Sequence, residues 1–127
     1  MVKVIAAMLA LALAAGPAFA QEGIKRTPLQ KLDVPDTGYE AVMGLAEVAP
    51  GASSSRHSHP GVEIGYVLEG ESELAIDGQT PQRLTAGQSY RIEAGVIHDA
   101  RNVGSTVAKV IAVYVVEKGK PLAVPAE

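Results

Sequence analysis

Three histidines and one glutamate form the most distinctive pattern in this sequence. His57 and His59 are two residues apart on a predicted strand, so both imidazoles should point to the same face. Glu63 follows the Pro60-Gly61 pair at the start of the next predicted strand, and His98 lies on a later strand, again just after a glycine turn. Imidazole and carboxylate ligands suit Fe, Mn, Ni, Cu or Zn. The sequence therefore predicts one divalent transition metal bound by these four residues.

The number of ligands matters for the chemistry. Three imidazoles and one carboxylate would fill four of the six positions around an octahedral metal and leave two adjacent positions for a bidentate substrate or O2. The sequence has no cysteine, which excludes thiolate metal sites and cysteine nucleophiles. Taken alone, a His-x-His pair is more often a surface or hydrogen-bonded pair, and Glu63 is more often a solvated charge. The metal site is favoured because all the histidines of the chain fall in one pattern.

Short β-strands separated by glycine and proline turns must position these residues. The Asp77-Gly78 pair predicts a tight hairpin, because both central residues of a type I′ turn need positive φ. Short strands at nearly regular spacing are typical of a sandwich or barrel. The expected strands are residues 39–48, 55–59, 63–68, 71–76, 82–84, 89–93, 97–102 and 106–116.

The segments on either side of these strands have a different character. Residues 21–37 are polar and contain two prolines, so they are expected to form an N-terminal arm with one short extended stretch. The barrel itself is expected over residues 38–117, and residues 118–127 should form an extended C-terminal tail.

The spacing of these residues resembles that of the cupin family. The first cupin motif is matched by Gly51-x5-His57-x-His59-x3-Glu63-x6-Gly70. The second is matched by Gly87-x5-Glu93-x-Gly95-x2-His98-x3-Asn102, except that Glu93 stands where proline is usual. The resemblance covers about residues 38–117. It implies an all-β fold, an antiparallel jelly-roll barrel, with the four metal ligands inside one mouth.

Residues 1–20 predict an export signal that is removed. Lys3 precedes an uncharged apolar run, Gly16-Pro17 breaks that run, and Ala18-Phe19-Ala20 is the small-x-small pattern cut by signal peptidases. The alternative is a retained membrane anchor, but the apolar run is short for a span of about 20 residues. The mature protein is therefore expected to begin at Gln21 and to be periplasmic or extracellular.

The composition argues against nucleic acid as a partner. Without residues 1–20 the chain has ten basic and 14 acidic residues, a net charge of −4, and its aromatic side chains are four tyrosines. Nucleic-acid-binding surfaces need clustered Lys and Arg with stacking aromatics. No later apolar stretch approaches the length of a membrane span, so no membrane contact is expected after cleavage. The expected partner is a small molecule.

The last long strand predicts self-association. Apart from Lys109, both of its faces are apolar, which indicates burial on both sides or a dimer interface. Tyr66 should point away from the face of Glu63 and is expected in the core or at an interface. We therefore expect a homodimer.

The leading functional hypothesis is a metal-dependent enzyme of the dioxygenase type, which the family resemblance suggests for a small single-domain barrel with this ligand set. In this hypothesis Glu63 is both a metal ligand and the catalytic residue that takes a proton from the bound substrate. No histidine is spare for that task, and the other acid–base alternatives are Tyr66, Glu47 and Glu93.

Two other classes of function remain open. One is a non-catalytic barrel that uses the metal to bind or sense a small ligand, because fold does not determine function. The other is a structural barrel with a stabilising metal, although structural sites are usually closed by protein ligands. If the barrel binds an anionic ligand, Arg56, Arg91 or Arg101 could lie at the pocket rim and contact it.

Overall fold

The computed structural model describes residues 21–127, and the expected export signal at residues 1–20 lies outside them. The described chain is all-β, as the sequence predicted. Within it there is no helix of the length and apolarity that crossing a membrane requires. Its strands are β1 (Ile24–Asp33), β2 (Tyr39–Val48), β3 (His57–Ser58), β4 (Gly61–Glu69), β5 (Glu71–Ile76), β6 (Gln82–Thr85), β7 (Ser89–Ile92), β8 (His98–Arg101), β9 (Ala108–Glu117) and β10 (Val124–Pro125).

The strands form two five-stranded antiparallel sheets, which together make the expected jelly roll. The strand order is β1-β2-β9-β4-β7 in the first sheet and β10-β3-β8-β5-β6 in the second. Apolar side chains facing between the sheets form a compact core of Val67, Leu74, Ile76, Leu84 and Ile92. Burying such side chains contributes about 1.5–3 kcal/mol each to stability. The core therefore holds the two sheets together next to the histidine-bearing strands.

Strand β9 has the two-faced character that its sequence predicts. Ala112, Tyr114 and Val116 are buried on the inner face, with Val42 of β2 packed against them. The alternate residues Ile111 and Val113 are only half-buried on the outer face. The outer face of β9 is therefore covered only in part by the described chain.

Residues 21–37 differ from the expectation of an arm with one short extended stretch. Ten of them form β1, which pairs with β2 along its whole length and has an irregularity between Pro28 and Gln30. Pro28 is tolerated because an edge strand can lack one backbone N–H. Most β1 side chains are exposed on both faces, so the strand has no apolar alternation to reveal it. Backbone pairing, rather than side-chain burial, holds it in the sheet.

The C-terminal tail returns to the barrel instead of leaving it. Val124 and Pro125 form β10, which pairs with Ser58 and His57 of β3. Beyond β10, the Ala126 N–H donates a hydrogen bond to a backbone carbonyl just before β3, 2.9 Å away. The tail therefore becomes the edge of the second sheet, beside the strand that carries His57.

Asn102 explains why the end of β8 is well defined. Its side chain is 2% exposed, and its Nδ2 donates to the carbonyls of Val48 (2.8 Å) and Thr106 (2.7 Å). Its Oδ1 accepts from the N–H of Gly104 at 2.8 Å. These bonds tie the turn after β8 to β2, which fixes the strand that bears His98.

Candidate metal centre

The three histidines meet at one end of the second sheet. His57 of β3 pairs directly with His98 of β8, and His59 lies two residues after His57, just past the end of β3, on the same face. Their ring centroids are 4.3–5.1 Å apart, and one nitrogen from each ring lies within 4.8 Å of the others. His59 and His98 are buried, and His57 is half-buried. The period-two prediction for His57 and His59 is confirmed.

A backbone carbonyl fixes the tautomer of each imidazole. Nδ1 lies 2.6 Å from the Ser55 carbonyl in His57, 2.6 Å from the Leu122 carbonyl in His59 and 3.0 Å from the Val96 carbonyl in His98. Because a carbonyl only accepts, Nδ1 must carry the proton and Nε2 keeps its lone pair. This is the usual arrangement of metal-binding histidines. Because the carbonyl bonded to His59 belongs to Leu122, the C-terminal tail helps to orient one imidazole of the site.

Glu63 of β4 brings a carboxylate to the same point from the other sheet. Its Oε2 lies 3.2 Å from Nε2 of His59 and 3.3 Å from Nε2 of His98, and the residue is 5% exposed. Its Oε1 accepts a hydrogen bond from the Tyr90 hydroxyl at 2.9 Å. Glu63 therefore adjoins two of the three imidazoles.

The hydrogen bonding at this point fits a bound cation. Among the described residues, His59 Nε2 and Glu63 Oε2 are both buried without a hydrogen-bond partner. With Nδ1 protonated, these atoms present lone pairs to each other, which is costly in a buried site. A proton on one imidazole would remove the repulsion between one pair of these atoms, whereas a cation bound between them would remove the repulsion among all of them. The residues present therefore fit a metal ion, and the three histidines could hold it.

The charge states of the site follow from burial and from these contacts. Burial alone would raise the pKa of the Glu63 carboxyl, but the imidazoles of His59 and His98 hold that pKa well below its usual range. Burial opposes charge on His98 as well, yet Glu63 and the Val96 carbonyl leave its pKa raised. For His57 burial dominates, and its pKa is lowered. The site thus combines an ionised carboxylate with imidazoles of unequal basicity.

Two tyrosines that the sequence did not single out complete the inner wall. The Tyr90 ring lies over Gly65, where a Cβ would come within 2.2–2.4 Å of ring atoms, so only glycine leaves room for it. The Tyr114 ring is 4.8 Å from the ring of His59. Burial, together with the neighbouring Glu63 charge, raises the pKa of both hydroxyls. Both therefore stay protonated, and Tyr90 acts as a donor to Glu63.

A cavity lies next to the histidines, between the two sheets. About 60 Å³ of it is open to the centres of water molecules, which is room for roughly four or five waters. Its walls are mainly apolar. A second hollow at the mouth shares Arg26, Ser54, His57 and Tyr114 with the cavity. These four residues line the route from the surface into the cavity.

Most of the other residues considered from the sequence lie elsewhere. Tyr66 is 47% exposed on the outer face, so it is not a core residue. Glu47 pairs with Lys25 on the first sheet. Glu93 is exposed in a normal turn, where its carbonyl accepts from Val96 N–H at 3.2 Å, so the missing proline has not opened that turn.

Of the arginines considered from the sequence, Arg56 lines the mouth and Arg101 lines the cavity, whereas Arg91 lines neither. Arg56 pairs with Asp77 at 2.8 Å, and Arg91 contacts Glu93 at 4.0 Å. Arg101 lies in β8, on the alternate face to His98. The arginine that does line both the cavity and the mouth is Arg26, on the unpredicted strand β1.

Comparisons with known proteins agree with this architecture. A family model described as "Cupin domain" matches residues 44–114. The chain is 42% identical over 66 residues to the HTH-type transcriptional regulator PuuR of Escherichia coli, which covers 51% of this chain and 35% of that protein. It is 30% identical over 109 residues to oxalate oxidase GF-3.8 of Triticum aestivum, covering 79% of this chain and 49% of that protein.

A solved structure of an oxalate oxidase in complex with the substrate analogue glycolate superposes with a TM-score of 0.65. That alignment has 28% identity and covers 87% of this chain and 58% of the other. The chain thus spans about a third to a half of the length of these two curated relatives.

Proposed function

The chain belongs to the cupin superfamily, and from that premise we propose that it is an exported, metal-dependent enzyme of the dioxygenase type acting on a small organic molecule. The observation that carries the proposal is the set of three Nε2 lone pairs, each fixed by a carbonyl at Nδ1, of which those of His59 and His98 face one buried carboxylate. In this proposal His57, His59, His98 and Glu63 are the four protein ligands.

The bound metal would act as a Lewis acid that lowers the pKa of a coordinated substrate. The chain would supply the rest. Glu63 Oε2 is placed to accept a proton, while the Tyr90 hydroxyl holds Oε1 in position. The apolar walls of the cavity limit access of water and strengthen the electrostatic interactions inside.

The similarity to oxalate oxidases supports a redox enzyme acting on a small acid. That support reaches most of this chain, since the oxalate oxidase match covers 79% of it. The small size of the cavity agrees with a ligand of few atoms. Oxalate and glycolate are therefore the first compounds to test.

The direct test is oxygen consumption by the metal-loaded protein. We expect uptake of O2 with at least one compound among oxalate, glycolate, a 1,3-dicarbonyl and a catechol, and we expect chelation to abolish it. The electrode trace of the chelated protein is the control. Metal-loaded protein that binds one or more of these compounds but consumes O2 with none of them would contradict the enzymatic proposal.

The second candidate function is non-catalytic binding or sensing of a small ligand. The match to PuuR, described as a transcriptional regulator, favours it, although it reaches only 51% of this chain. The two candidates share the metal and the cavity, and they differ in whether a bound ligand is turned over. The oxygen electrode therefore separates them.

We also propose that the protein is a homodimer formed through the outer face of β4. Four large apolar residues of that strand are 40–56% exposed, next to the half-buried outer face of β9; they are Val62, Ile64, Tyr66 and Leu68. A two-fold dimer places identical patches against each other, so a second copy supplies a matching apolar surface.

Light scattering at micromolar concentration should give twice the chain mass. Ile64→Lys should give a monomer, because it would bury a charge in the contact. Gln82→Lys, at an exposed position on β6 of the second sheet, should remain dimeric. A monomeric unmodified protein would overturn the proposal.

A further inference from the structure

The basic side chains of residues 21–127 are nearly all neutralised by acidic neighbours. Eight of the ten have a carboxylate oxygen within 4.0 Å; they are Lys25, Lys31, Arg56, Arg83, Arg91, Lys109, Lys118 and Lys120. Arg26 and Arg101 are the two of this part of the chain that lack one. In a protein with more acidic than basic residues, an unneutralised arginine points to an anion from outside.

The two arginines differ in where their side chains face. Arg101 lies in β8 on the face opposite to Ala100 and His98 and lines the cavity, but it does not line the mouth. Arg26 lies two residues after Ile24 on the face of β1 that lines the cavity. It also lines the mouth, together with His57. Arg26 is therefore at the point where a ligand would enter.

Arg26 is oriented by a neutral group. Its Nη2 donates to Oε1 of Gln21 at 2.8 Å, and the Gln21 amide in turn donates through Nε2 to the Ser54 carbonyl. These two bonds link β1 to the loop before β3 across the mouth. Because Gln21 is uncharged, the guanidinium is held in place while its charge stays available.

The charge of Arg26 also reaches the inner wall. Arg26 lines the same cavity as Tyr90, Tyr114 and Glu63, so its charge faces the groups of the inner wall. Glu63 makes no ion pair with Arg26: its Oε1 accepts from the Tyr90 hydroxyl, and its Oε2 faces the imidazoles of His59 and His98. A positive group thus faces a cavity with room for only a few non-hydrogen atoms.

We propose that Arg26 binds the anionic group of the ligand and that the site selects small organic acids over neutral molecules of the same size. The inference rests on the proposed function in one respect, that the ligand occupies the cavity beside the metal centre. A planar guanidinium offers paired N–H donors to a carboxylate. Arg26 would hold one end of the acid while the other end lies toward the histidines.

The test is the affinity of Mn(II)-loaded protein for glycolate, measured by titration calorimetry, with ethylene glycol as the neutral probe. Arg26→Gln should weaken glycolate binding by about 10–100-fold, the range expected for a lost charged hydrogen bond. Arg26→Lys should lose less, because it keeps the charge and loses the paired geometry. Arg83→Gln is the matched control: Arg83 is exposed and paired with Glu71, so affinity should not change. Metal affinity should stay the same in all variants.

The possible outcomes separate this inference from the proposed function. Equal glycolate affinity in the unmodified protein and in Arg26→Gln would overturn the role of Arg26 and leave the enzymatic proposal standing. Preference for ethylene glycol, or O2-dependent turnover of a neutral compound with no binding of glycolate or oxalate, would overturn the selection of acids. Arg26-dependent glycolate binding without any O2 consumption would support the inference and contradict the proposed enzyme.

Discussion

Glu63→Gln is expected to lower turnover by about 10²–10⁴-fold, the range that general acid–base groups contribute. Metal affinity should fall by only about 10–100-fold, the scale of changes in the surroundings of a metal. The glutamine carbonyl oxygen can still face the metal, with the amide NH2 then donating to the Tyr90 hydroxyl oxygen, but the amide cannot take a proton at neutral pH. Turnover and metal occupancy must be measured on the same samples.

Glu73→Gln is the matched control for this variant. Glu73 is exposed on β5, so its substitution removes the same charge far from the histidines and should leave both quantities unchanged. Full turnover in a metal-replete Glu63→Gln protein would remove Glu63 from proton transfer and leave it as a ligand alone. Parallel loss of ligand binding and metal, with no turnover in the unmodified protein, would favour the binding function.

The histidine cluster could be predicted because its geometry is local. Two residues two apart on a strand share a face whatever the rest of the fold does, and this places His57 beside His59. Strand periodicity does not place Glu63 or His98 beside these two histidines. Their positions were predicted from the motif spacing of the cupin family. The carbonyls that fix the tautomers were not predictable. One of them belongs to Leu122, in a tail that was expected only to be extended.

The tyrosines and Arg26 could not be predicted for different physical reasons. Tyr90 reaches Glu63 because β7 pairs with β4 in a register that places Tyr90 opposite Gly65, and that register is a property of the sheet. Gly65 can be recognised in the sequence, but the sequence does not show that Tyr90 lies opposite it. Arg26 lies on an edge strand whose two faces are mostly exposed, so there was no apolar alternation to indicate a strand. Hydrogen bonding to β2, invisible in the side-chain pattern, directs it to the mouth.

Loss of the metal is the second change expected to have a large effect. The metal would bind the folded site and not the unfolded chain, so at 100 times its dissociation constant it adds about 2.7 kcal/mol to the free energy of unfolding. For a domain of this size that corresponds to a fall in melting temperature of about 10–20 °C on chelation. His98→Ala should behave like chelation, because it removes one imidazole and leaves Glu63 Oε2 beside His59 alone.

His98 is buried, so the variant could also lose stability through packing. His57→Ala is the companion variant, since His57 is only half-buried and its truncation disturbs the core less. Both variants should keep the far-ultraviolet signal of a β protein, and in both the melting temperature should no longer respond to added metal. A melting curve that still rises with metal in both variants would place the binding site elsewhere.

The most direct test of the central claim is the metal content per chain. The protein, stripped and then equilibrated in turn with Fe(II), Mn(II), Ni(II), Cu(II) and Zn(II), is freed of unbound ion and assayed by elemental analysis. We predict one ion per chain for at least one of these metals in the unmodified protein, and an affinity lower by more than about 100-fold in His98→Ala. An unmodified protein that retains none of the five, or His98→Ala retaining as much as the unmodified protein, would contradict the account.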